Sequence, residues 1–141
     1  MSDDALPVWN LMRTAHVVGL RFAQVFATTD LTPTQFGVLH ALAERELTQA
    51  KLARVVLVRP QSIGVLVADM VDRGLVERHG PGGRGRRATL GLTTDGRETL
   101  DRAWPAVREF NAPSALGLTA AQAAMLEEIL DRVRETLTSG D

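Results

Sequence analysis

The sequence predicts a mainly α-helical chain with one small β-hairpin, and three observations carry that prediction. Apolar residues recur at three- and four-residue steps through most of the 141 residues. The rhythm shortens to a period near two only around residues 75–78 and 88–92, on either side of a glycine-rich loop. Basic side chains crowd into residues 47–93, where Lys51, Arg54, Arg59, Arg73, Arg78, Arg84, Arg86 and Arg87 stand against Asp69, Asp72 and Glu77 alone. Both flanking segments are net acidic, so the overall charge of −1 hides a basic middle. Such segregation points to a surface that meets nucleic acid.

Bulk composition narrows the class further. A chain with 45% hydrophobic and 23% charged residues has a globular profile and the length for a real core. No apolar run approaches the roughly 18–20 residues that a membrane span needs. The acidic stretch 1–10 lacks the basic start of a secretory signal. With no cysteine, a disulfide framework, a thiolate metal site and a thiol redox switch are all excluded. Three scattered histidines lack metal-ligand spacing. The expectation is a cytoplasmic protein with no membrane contact, no metal and no cofactor.

A first helix is expected over residues 6–28. Val8, Trp9, Met12, His16, Leu20, Ala23 and Phe26 share one side, and Pro7 suits the first turn. A second helix starts at Thr32, with Pro33 at its first position and Gln35 completing a capping box. Leu31 is placed to staple onto Phe36, while Phe36, Leu39, Leu42 and Ala43 point inward. Thr48 caps a short third helix that buries Ala50, Leu52, Ala53 and Val56. Residues 57–59 then turn into Pro60, which opens a fourth helix with Ile63, Leu66, Val67 and Met70 as its stripe. Gly74 stops that helix in the left-handed conformation. Two short helices joined by a few residues and ended by glycine follow the grammar of a helix-turn-helix.

Residues 79–87 hold four glycines, a proline and three arginines between two strand-like segments, which reads as a solvated basic hairpin loop, or wing. Thr93 or Thr94 caps a fifth helix carrying Leu100, Ala103, Trp104, Val107 and Phe110, and Pro105 predicts a kink or break at Trp104. Residues 111–117 read as a linker. Thr119 and Gln122 form a second capping box, opening a last helix with Met125, Leu126, Ile129, Leu130, Val133 and Leu137 apolar. The fold class is therefore a winged helix-turn-helix: mainly α, with a small hairpin wing and additional helices at both ends.

This order of elements resembles the MarR family of winged helix-turn-helix transcriptional regulators over essentially the whole chain. The stretch Leu31-Thr32-Pro33-Thr34-Gln35-Phe36-Gly37-Val38-Leu39 is similar to that family's L-T-x-x-Q-F-x-V-L helix. Leu75-Val76-Glu77-Arg78 resembles its G-L-V-x-R approach to the wing, and Leu90-Gly91-Leu92-Thr93-Thr94-Asp95-Gly96 its V-x-L-T-x-x-G exit. Two positions depart from the pattern. Where the family usually carries Asp-x-Arg in the wing, this chain has Arg84-Gly85-Arg86, so Arg86 is retained without its acidic partner. Val65 occupies a position at which many relatives have arginine.

The resemblance implies a DNA-binding lobe over residues 30–93 and dimerisation helices over 1–29 and 94–141. It implies a homodimer on a pseudo-palindromic double-stranded operator, acting as a repressor that a small aromatic or phenolic ligand releases. DNA contacts are expected from Arg59, Pro60, Gln61, Ser62, Gly64 and Val65 around the start of the fourth helix, and from Arg84, Arg86 and Arg87 in the wing. Glutamine pairs with adenine through two hydrogen bonds, serine is promiscuous, and valine fits a thymine methyl, a set that leans toward A·T readout. Ligand contacts are expected from Trp9, Arg13, His16, Phe36 and His40, with His16 and His40 facing one another across a cleft. No nucleophile elbow, phosphate-cradling loop or carboxylate pair supports an enzyme. The alternative is a winged-helix protein-interaction adaptor that does not bind DNA, since the fold alone does not define the function.

Overall fold

The computed structural model describes residues 5–80 and 88–140. The chain divides into two compact units, which meet in sequence between Trp104 and Pro105. In the first, helix α1 (Pro7–Phe26) is followed by α2 (Pro33–Glu44), strand β1 (Leu47–Thr48), α3 (Gln49–Val55) and α4 (Pro60–Asp72). Strands β2 (Val76–His79) and β3 (Thr89–Leu92) come next, then α5 (Thr94–Phe110), which continues into the second unit. That unit also holds a 3-10 turn (Pro113–Leu116) and α6 (Ala120–Thr138).

The core of the first unit is formed by one face from each short element. Val38 and Leu39 of α2, Leu52 of α3, Ile63, Val67 and Met70 of α4, and Val76 and Leu90 of the sheet are essentially inaccessible. Each α4 residue follows the last by three or four positions, so a single stripe serves the core and the opposite edge stays free. Both predicted capping boxes form, Thr32 with Gln35 and Thr119 with Gln122, each satisfying two amides that the helix leaves unpaired. Gly74, at φ +73°, ends α4 as expected: its amide bonds the Val71 carbonyl, and the Leu75 amide reaches back to Met70 at 3.0 Å.

Three anchors hold α4 against its surroundings. Arg73 donates from Nη2 to the Asp30 carbonyl at 2.7 Å and from Nη1 to Gln35 Oε1 at 3.3 Å, tying the end of α4 to the start of α2. Thr93 caps α5 by accepting from the Gly96 amide at 2.9 Å, and its hydroxyl donates to the Gly74 carbonyl at 2.6 Å. A Cβ on Gly96 would stand 2.1 Å from the Leu75 carbonyl oxygen, so only glycine lets α5 begin this close to the turn after α4.

Several expectations need correction. The expected hairpin is a three-stranded antiparallel sheet of order β1-β3-β2, because Leu47 and Thr48 pair with Leu90 and Thr89. Two residues are too short for an alternating pattern, so β1 exists through its partner alone. Ala50 is exposed: it lies on the outer side of α3, opposite Leu52 and Ala53. Of the kink or break expected at Trp104, the break does not occur: α5 runs through Pro105 as one 17-residue helix, since proline removes only one bond of its ladder. Residues 111–117 are not a plain linker, because Pro113–Leu116 forms a 3-10 turn. The shared apolar side of α1 buries only Phe26 within one chain, and α6 buries no residue. No described helix is long and apolar enough to cross a membrane.

Candidate nucleic-acid interface

The interface is built from the turn between α3 and α4. After α3, the Val58 amide returns to the Ala53 carbonyl at 2.9 Å. Leu57 takes a left-handed conformation at φ +57° while standing 70% exposed. For leucine that conformation costs about 1–2 kcal/mol, here accepted to reverse the chain within four residues. Arg59 then enters α4 in an extended conformation, its carbonyl accepting from the Ser62 and Ile63 amides at 2.9 and 3.2 Å. Pro60 occupies the first helical position, where no amide is needed.

With Ile63, Val67 and Met70 buried, α4 presents Gln61, Ser62 and Val65 outward, Val65 being 76% exposed. Gln61 and Val65 are one turn apart on the same edge, an amide followed by an isopropyl group. Gly64 faces α3: a Cβ there would lie 3.6 Å from Gln49 Nε2, an ordinary van der Waals distance. Lys51, Arg54, Arg59 and Arg78 are the exposed cations of residues 47–80 apart from Arg73, which is tied to α2. Arg84, Arg86 and Arg87 lie outside the described residues.

The sheet carries a polar cluster that sequence reasoning missed. His79, the last residue of β2, bonds Glu46 through Nδ1 and Glu77 through Nε2, the latter at 2.8 Å. Glu46 also accepts from the Thr89 hydroxyl at 3.0 Å. The Glu77 and Glu46 carboxylates raise the His79 pKa above its ordinary 6.5. His79 and Thr89 in turn hold the Glu46 carboxyl below its ordinary 4.5. Glu77 and His79 share a strand face by their spacing of two, but Glu46 is 33 residues away and gave no signal.

The expected ligand residues fall into two groups. Phe36 and His40 stack on α2 with centroids 6.0 Å apart, and Trp104 lies parallel to His40 at 5.2 Å. Phe26 joins the stack at 5.3 Å from Phe36, with Phe22 behind it. Beside His40 opens a cleft of about 480 Å³ lined by Gly37, Ala41, Leu47, Val55 and Val56, with Glu44 and Arg45 at its polar side. Trp9, Arg13 and His16 are not part of this arrangement within one chain. They are exposed on α1, whereas Phe26, which does meet Phe36, lies about 15 Å of helix rise beyond His16. Trp104 is 64 residues from His40, a separation at which helical spacing in the sequence gives no sign of the stack.

A short helix pair with an outward second helix, backed by a three-stranded sheet, defines a winged helix-turn-helix. The model of the MarR family matches residues 29–87. The HTH-type transcriptional repressor Rv2887 of Mycobacterium tuberculosis is 29% identical over 134 residues, covering 94% of this chain and 96% of that protein. The crystal structure of Rv2887 in complex with salicylic acid superposes with a TM-score of 0.73 at 29% identity, over 94% of this chain and 99% of that one. The transcriptional repressor CouR, bound to a 23-mer DNA duplex, gives a TM-score of 0.80 at 28% identity, over 92% of each chain. The chain is thus similar to MarR-family transcriptional regulators over most of its length.

Proposed function

We propose that this regulator is a homodimeric repressor that reads a pseudo-palindromic duplex through α4 and is released by a small aromatic or phenolic acid. The observation that carries the reading is the outer edge of α4, where Gln61, Ser62 and Val65 stand free on a helix whose opposite stripe is fully buried. DNA binding by CouR and the naming of Rv2887 as a repressor support the same reading. Residues 30–93 form the DNA-binding lobe. Phosphate contacts from Arg59, Arg84, Arg86 and Arg87 supply affinity, while Pro60 and Gly64 position α4.

Residues 1–29 and 94–141 are the dimerisation segments. Val8, Trp9, Met12, Val17 and Leu20 on α1 and Met125, Leu126, Ile129 and Leu137 on α6 are all exposed. Burial against a second copy is the natural use of two such stripes. Two α4 helices one duplex turn apart (~34 Å) then require half-sites at that spacing. The ligand site is the cleft beside His40 and Phe36, with Arg45 available to a carboxylate. Trp9, Arg13 and His16, if they share this site, come from the α1 of the second chain. Salicylic acid in complex with Rv2887 supports the ligand class.

The test is selection of bound duplexes from a random pool, followed by competition with a panel of aromatic acids. Gln61→Ala should relax preference at one base pair by about 1–3 kcal/mol. Alanine at Arg84, Arg86 or Arg87 should weaken binding on every duplex alike and flatten the salt dependence by about one ion each. An adaptor would bind no duplex at all. Operator affinity that no aromatic acid changes would remove the ligand from this reading.

A further inference from the structure

His79 sits where the wing joins the sheet. It closes β2, and the residue paired with it, Thr89, opens β3. Its ring, 39% exposed, lies across the central strand. A Cβ on Gly91 would be 3.0 Å from His79 Cε1 and 3.5 Å from Glu46 Oε1, so the missing side chain of Gly91 is the seat of the ring. From that seat Nδ1 meets Glu46, which precedes β1, and Nε2 meets Glu77 on β2 itself. One ring thus spans all three strands.

We propose that His79 is a proton-operated clasp for the wing: doubly protonated it ties Glu46 to Glu77 across Gly91, and loss of one proton undoes one of those ties. A neutral imidazole has one N–H and one lone pair, and a lone pair aimed at a carboxylate repels it. Glu46 is also held by the Thr89 hydroxyl, so Glu77 is the end that lets go. The bond that remains loses the imidazolium charge and keeps only the charge of its carboxylate acceptor, so it weakens. Among the described residues, Glu46 and Glu77 are the charged groups that act on the ring. Arg78 alternates to the other face of β2, and Arg45 lines the cleft beside α2.

The direction follows from the shifts. A raised His79 pKa means that the clasp is closed below 6.5 and opens as pH rises through the higher folded value. The acidic limit lies lower, since Glu46 gives up its charge only as pH falls below 4.5 and through its depressed value. Closed, the clasp holds the two arms of the wing in register and favours duplex binding. Open, it frees them. The effect on DNA rests on the DNA-binding reading above; the titration of the ring does not.

Two measurements on the full chain test this between about pH 6 and pH 9, the range in which histidine changes charge. The His79 ring is followed by NMR together with the backbone signals of Thr89 and Gly91. Affinity for a mixed-sequence duplex at low ionic strength is measured for the native chain, His79→Gln and Glu46→Gln. The ring should titrate above 6.5, Thr89 and Gly91 should share its midpoint, and Glu46→Gln should lower that midpoint. Duplex affinity should fall on the order of threefold to tenfold with rising pH, as linkage between proton binding and duplex binding requires. It should stay flat in His79→Gln, which retains His16 and His40. A ring titrating at or below 6.5, strand signals that ignore it, or a pH dependence that survives His79→Gln would each overturn the clasp. A chain that binds no duplex at any pH, yet shows the shared midpoint, would support the clasp and sink the DNA-binding reading.

Discussion

Helices α4 and α6 carry the same kind of apolar pattern and meet opposite fates. Ile63, Val67 and Met70 disappear into the core from a helix of 13 residues. Met125, Leu126, Ile129 and Leu137 repeat at similar steps over 19 residues of α6 and all stay exposed. Helix α1 behaves like α6, burying Phe26 alone. A stripe at helical spacing specifies that a helix has a face to bury, not which surface covers it. For α4 the cover is α2, α3 and the sheet of the same lobe; for α1 and α6 the proposed cover is a second chain.

The largest effects should separate these two kinds of stripe. Leu39→Ala, at a site with no exposure, should cost about 2–5 kcal/mol in denaturant unfolding. Ile129→Asp should instead turn a dimer into a monomer in sedimentation while helix content is largely kept. A native chain that sediments as a monomer, or an Ile129→Asp variant that remains dimeric, would break the comparison. Next in size is Gly96→Ala, which forces a methyl group against the Leu75 carbonyl and should cost about 1–3 kcal/mol. Its melting temperature should fall below that of an alanine at Gly140, where nothing lies within 4 Å. The smallest change is Thr32→Ala, which removes one capping bond of α2 for about 1 kcal/mol. A loss as large as that of Leu39→Ala would mean that the start of α2 does more than cap a helix.

Local signals were legible because their causes are local. The capping boxes at Thr32 and Thr119, Pro33 and Pro60 at first helical positions, and Gly74 past the end of α4 depend on partners within five residues. The outward Gln61, Ser62 and Val65 followed from the same periodicity that buried Ile63, Val67 and Met70. Strand β1 was illegible, since two residues hold no pattern and are extended through their pairing with Leu90 and Thr89. The grouping of Trp104 with His40 and Phe36 was equally hidden, and so was the link from Arg73 to Asp30.

The sequence by itself determined the helices, their ends, the inward stripe of α4 and the outward edge that is proposed to read DNA. Each of these is decided by backbone hydrogen bonding and side-chain direction within a few turns. Only the tertiary structure decided that Gly91 would seat a histidine, that Glu46 would reach it from another strand, and that α1 and α6 would keep their apolar faces uncovered. Those outcomes depend on which surfaces meet across tens of residues, and neither periodicity nor local propensity encodes that distance.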